Sequence, residues 1–109
     1  MQFNEYQEKA KSTAIYPHHG NNPFYPGLGL AGEAGEVSGE LSKAMRDDNY
    51  KVTPDRRTKL IKEMGDVLWF MAALATELRV SLDEVAQLNL DKLASRKERG
   101  VLTGSGGDR

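Results

Sequence analysis

Two short acid pairs are where chemistry on this chain would start. Glu33-Ala-Gly-Glu36 and Glu63-Met-Gly-Asp66 each hold two acids at i and i+3, a spacing that puts both carboxylates on one face of a helix. One such pair is common on a solvated face. Two pairs, each bordering an apolar stripe and each with a glycine before its second acid, make a more demanding pattern. Carboxylates brought together in a packed domain repel one another, so a cation must offset them. An all-oxygen donor set favours Mg²⁺, or Mn²⁺ in its place, over metals that prefer thiolate or imidazole. Ions of that kind bridge phosphate oxygens and make bound water more acidic. Phosphoryl chemistry also needs positive charge on the leaving group. Lys92 and Arg96, with Asn89 as a neutral donor, fall within one arc at i, i+3 and i+7 and could form that clamp.

The elements that must position these groups read as helices. The first is expected over Phe3–Ala14, with Phe3, Tyr6, Ala10 and Ala14 on one side. Ile15–Gly29 carries three of the four prolines and reads as an irregular loop. A second helix is expected from about Leu28 to Arg46, with an apolar stripe through Leu30, Ala34, Val37, Leu41 and Met45. Glu33, Glu36 and Glu40 lie along the edge of that stripe. Thr53-Pro-Asp55 is a helix start, with a capping hydroxyl, a proline at the first position and an acid in the first turn. The seam that follows, Leu60, Met64, Val67, Met71, Leu74 and Leu78, is sustained over a third helix. Ser81-Leu-Asp-Glu84 opens a fourth, which should run to about Glu98 and stop at Gly100.

Val67–Ala75 is apolar on every side, and three other short helices can hardly cover it. We therefore expect an all-α chain of four main helices that oligomerises into a larger bundle, at least a dimer and most simply a tetramer of paired dimers. Trp69 lies off the seam and is expected at a subunit contact before a base platform. The loop aromatics Tyr16, Phe24 and Tyr25, together with Trp69 and Gln7, are candidates for a base pocket, because rings stack on any base and side-chain amides read base edges.

The totals narrow the classes. At 109 residues the chain is expected to be one domain, 1–109, with a glycine-rich tail over 100–109. The formal net charge of −1 gives no strong field for nucleic acid or an anionic membrane. No apolar run approaches the ~18–20 residues of a membrane span. With no cysteine and no signal peptide in sight, a cytoplasmic setting is expected, or a host's cytoplasm if the chain is phage-encoded.

Leu28-Gly-Leu-Ala-Gly-Glu-Ala-Gly-Glu-Val37, followed by Lys62-Glu-Met-Gly-Asp-Val-Leu-Trp69, closely resembles the MazG-like all-α nucleoside triphosphate pyrophosphohydrolases. The likeness runs from Glu5-Tyr6-Gln7 to Arg96 and Arg99. It implies Mg²⁺-dependent hydrolysis of a (deoxy)nucleoside triphosphate to monophosphate and pyrophosphate. By that likeness Glu33, Glu36, Glu63 and Asp66 are metal ligands, and Lys59, Asn89, Lys92 and Arg96 stand where the family meets phosphates. One departure bears on mechanism. Some relatives carry a second glutamate directly after the first as general base, and here that position is Ala34. Three sources of water activation stay open: the metal ions, Glu36 doubling as ligand, or Glu40 acting through a water. A related pyrophosphohydrolase acting on phosphoribosyl-ATP, and a non-catalytic helical interaction module, are the rival functions.

Overall fold

The computed structural model describes residues 1–109 and is all-helical, as expected. Helix α1 spans Phe3–Ala10, α2 Phe24–Asp47, α3 Pro54–Glu77 and α4 Leu82–Glu98. A 3₁₀ turn at Lys11–Thr13 follows α1. No helix is long and apolar enough to cross a membrane.

The caps explain most of the boundaries. Thr53 Oγ1 accepts from the Arg56 amide, and Ser81 Oγ from the Glu84 amide at 3.0 Å, so α3 and α4 begin where their capping residues stand. Gly100, at φ +72, ends α4. Two boundaries differ from expectation. Helix α1 stops at Ala10 and not at Ala14. The hydroxyls of Ser12 and Thr13 donate to the carbonyls of Lys9 and Ala10, which tightens the chain into a 3₁₀ turn. Helix α2 starts at Phe24, inside the stretch expected to be loop. Pro26 falls in its first turn, where a missing N–H costs nothing. Asn22 Oδ1 accepts from the Tyr25 amide and supplies the cap.

Helices α2 and α3 form the main pair, running antiparallel. Arg56 meets Glu40 at one end; Phe70 meets Gly29 and Leu74 meets Gly27 at the other. At Gly29 the spacing is tight: a Cβ there would lie 2.3 Å from the Phe70 ring, so no other residue fits without moving the helices apart. At the far end Arg56 donates to Glu40 and Asp48, both at 2.8 Å, with all three side chains largely buried. Helix α1 lies across α3, also antiparallel, with Gln7 at Thr76 and Thr13 at Trp69.

The core is small. Ala72, Ala75 and Leu82 are buried together, with Tyr6, Ala10, Met71 and Val80 packed around them. Large apolar side chains remain outside it, among them Leu41, Met45, Ile61 and Met64. The radius of gyration is 16.7 Å, against about 13 Å for a compact domain of this length.

The loop between α1 and α2 is held by a buried acid. Glu77, at the end of α3, accepts from the Tyr16 hydroxyl and from the amides of Gly20 (2.9 Å) and Asn22 (3.1 Å). Burial opposes its charge, but these donors and nearby His19 outweigh burial and hold its pKa below the usual glutamate value. A lowered carboxylate pKa stabilises the fold above the unfolded value, near 4.3. That stability drains as pH falls through the folded value. Glu77→Gln should therefore lower unfolding free energy by about 1.5–3 kcal/mol at pH 7, with the deficit shrinking below pH ~4. Denaturant titrations of both proteins at the two pH values check this; an equal deficit at both would rule out the ionic account.

Candidate metal centre

The antiparallel register set at Gly29 and Arg56 places the α2 acid pair across from the α3 pair. Carboxylate oxygens of Glu33, Glu63 and Asp66 all come within 4.8 Å of one another. Glu33 and Glu63 are half-buried and Asp66 is exposed. Partial desolvation, then a hydrogen bond to and repulsion by Glu33, then the charges of Glu36 and Asp66, raise the Glu63 pKa. Glu36 is exposed and stands just outside the trio, near enough to add to that field.

No lysine or arginine neutralises these four acids; the ion pairs of the chain are all elsewhere. Glu40 makes the contrast. One turn beyond Glu36 on the same helix, it is bound by Arg56 at 2.8 Å and approached by Lys43 at 3.8 Å. Its carboxylate, one of the three options for water activation, belongs to the α2–α3 anchor. The remaining acids suit a hard divalent cation: all donors are oxygen, they converge, they reach solvent, and their mutual repulsion is unrelieved.

The expected phosphate clamp is not beside this centre within one chain. Helix α4 packs on α1 and α3. Asn89 and Lys92 line a surface cavity with Val80, Val85 and Leu88, with none of the acids. Arg96 is buried, and its guanidinium donates to the carbonyl of Gly107 in the tail. The glycine-rich tail thus folds back on α4, and Arg109 ties it further to the carbonyls of Val101, Leu102 and Gly106. Lys59 is exposed on α3, one turn before Glu63.

The base-pocket candidates divide. Gln7 is buried with its amide fully used, donating to Thr76 Oγ1 and the Val80 carbonyl and accepting from the Leu82 amide at 2.8 Å. It fastens three helices and has no free edge to read a base. Tyr16 is buried, bound to Glu77 and stacked on Tyr25 with ring centroids 4.6 Å apart. Tyr25 and Phe24 are exposed. Trp69, expected at a subunit contact, bonds within the chain to Thr13, packs edge-on against Phe70 at 5.1 Å and stays half-buried. Sequence reasoning missed Phe70, whose spacing of seven from Glu63 was the available signal. It also missed Tyr6, which burial and, second, the charge of Asp66 push to a raised pKa.

A family model, the MazG nucleotide pyrophosphohydrolase domain, matches residues 27–101, which contain both acid pairs. Gene 37 protein of Mycobacterium phage L5 is 46% identical to this chain over the full length of both. The Uncharacterized protein YvdC of Bacillus subtilis (strain 168) is 35% identical over 72 residues, 58% of this chain and 68% of that one. No solved structure matches the chain. With more than two thirds of its length under the family model and its converging carboxylates inside the match, the chain belongs to the MazG nucleotide pyrophosphohydrolase domain family.

Proposed function

We propose that this chain hydrolyses a (deoxy)nucleoside triphosphate to the monophosphate and pyrophosphate, with Mg²⁺ as its cofactor and Mn²⁺ as a substitute. The observation that carries the proposal is the uncompensated trio Glu33, Glu63 and Asp66 within a MazG domain. Glu33, Glu63 and Asp66 would hold the cation, with Glu36 beside them. When bound, the cation supplies positive charge to phosphate oxygens and makes water more acidic. The reaction adds water across the α–β anhydride, so one P–O bond forms and one breaks. The attacking water must be oriented and must lose a proton. With Ala34 unable to take it and Glu40 engaged by Arg56, Glu36 is the carboxylate left to accept it.

The second part of the proposal is assembly. An apolar groove of about 610 Å³ runs between α2 and α3, lined by Val37, Ile61, Met64, Val67, Leu68 and Met71 among others. It borders the acid centre, since Met64 lies between Glu63 and Asp66. A second copy of the chain covering this groove would bury what one chain leaves exposed. It would also bring the Asn89–Lys92 face of α4 to a centre that lacks cations, with Lys92 and Asn89 meeting phosphates and Lys59 supplying charge from α3. Dimer and tetramer both satisfy these needs.

Two outcomes are expected. Pyrophosphate release from dNTPs should stop with a chelator. Glu36→Gln and Asp66→Asn should each slow it on the order of 10²-fold, read by pyrophosphate assay at saturating Mg²⁺. Undiminished turnover in either variant removes that residue from the centre. For assembly, Met64→Asp places a charge in the groove and should shift the particle toward monomer in light scattering while α-helical content is kept. A wild-type particle that is already monomeric would contradict the groove's role.

A further inference from the structure

We propose that Thr13 is a positioning residue that fixes the indole of Trp69 as a stacking platform for the substrate base. This deepens the hydrolase proposal and rests on it. Trp69 follows Asp66 by three residues, so its side chain stands one turn from the acid centre on the same side of α3. A triphosphate engaged at the acids can extend its base along α3 in two directions. Toward the helix start lie Lys59 and the Arg56 ion pairs. Toward the helix end lie Trp69 and Phe70, with Tyr25 tilted against Phe70 at 6.1 Å. The second direction offers a cluster of packed rings, against the lone exposed Tyr50 near Asp48 in the first.

The indole there is held, not loose. Its Nε1–H donates to Thr13 Oγ1 at 2.8 Å. The one proton of that hydroxyl is already donated to the Ala10 carbonyl at 3.0 Å, so the oxygen can only accept. The 3₁₀ turn thereby aims a lone pair at Trp69, and Phe70 meets the ring system edge-on. Trp69 remains half-buried, leaving part of the ring accessible. With its N–H bound to Thr13, the indole has no donor left for base edges. It can contribute stacking, which any base accepts, and little discrimination between bases.

Trp69 is the single tryptophan of the chain, so its emission reports the site directly. The probe is a set of dNTP analogues with a non-hydrolysable α–β bridge, titrated into the full chain with Mg²⁺. Wild type should show saturable quenching by all four analogues. Thr13→Val should alter the emission and raise both the quenching midpoint and KM about 3- to 10-fold, with kcat nearly unchanged. Thr13→Ser keeps both hydrogen bonds and should behave as wild type. Trp69→Ala should raise KM on the order of 10- to 100-fold, similarly for the four bases. Trp69→Phe keeps a ring and discards the N–H, so adding Thr13→Val to it should change KM no further. An unchanged midpoint in Thr13→Val, or the same KM rise with phenylalanine at 69, overturns the inference. Turnover with no nucleotide effect on emission also overturns it and leaves the hydrolase reading standing. Saturable quenching without turnover would do the reverse.

Discussion

The register between α2 and α3 is the constraint on which the rest of the molecule depends. It is pinned at both ends by unlike contacts. At one end the Phe70 ring lies over Gly29, where any side chain would collide. At the other, Arg56 bridges Glu40 and Asp48, all three largely buried. Breaking a largely buried pair by removing one partner is costly because a charge is left unpaired, and the close approach at glycine has no substitute. Between these clamps the helices have no freedom to slide, so the acids of one helix face those of the other despite their repulsion. A one-residue slip would rotate Glu63 about 100° around α3 relative to Glu33 and disperse the centre.

The same clamps explain why so little of the chain's own apolar surface is buried. Most of the buried apolar side chains are alanines, which let helices approach but remove little area from water. The larger side chains, Met64, Leu68, Leu41 and Met45, point away from this thin core. An open shape with a radius of gyration above that of a compact domain is the geometric consequence. A chain built this way has its acids positioned before any partner arrives, while its cations on α4 remain on another side.

Much of this was legible in the sequence, and the failures have physical causes. The all-helical class, the starts of α3 and α4 and the stop at Gly100 follow from local rules, because capping depends on a few neighbouring atoms. The facing of the two acid pairs was also legible, since a short turn forces α2 and α3 antiparallel. Pro26 misled because its ring is disruptive in a helix interior and harmless in a first turn; only the Asn22 cap, not the proline, says which applies. Gln7 looked like a reader of bases because an amide has free edges until a fold uses them. Its three partners, Thr76, Val80 and Leu82, lie about seventy residues away. The Trp69 N–H is taken by a threonine 56 residues earlier, a bond that helical spacing did not foretell. Long-range hydrogen bonds of this kind leave no trace in helical spacing.

Glu36 and Glu40 show how far identity of residue type is from identity of role. They are the same side chain, one turn apart on one face of α2, and from spacing alone either serves as base. The difference comes from α3, whose first turns deliver Arg56 to Glu40 and nothing basic to Glu36. The Glu40 carboxylate is bound by the Arg56 guanidinium at 2.8 Å and is thereby engaged in an anchoring contact. Glu36 makes no such contact and stands beside Glu33, Glu63 and Asp66 free of any ion pair. The contacts made by α3 therefore separate two equivalent glutamates into one that anchors the helix pair and one left unpaired beside the acid centre. In the proposed reaction, a chain with alanine at position 34 thus still has a carboxylate for the attacking water, Glu36, because α3 brings no cation to it.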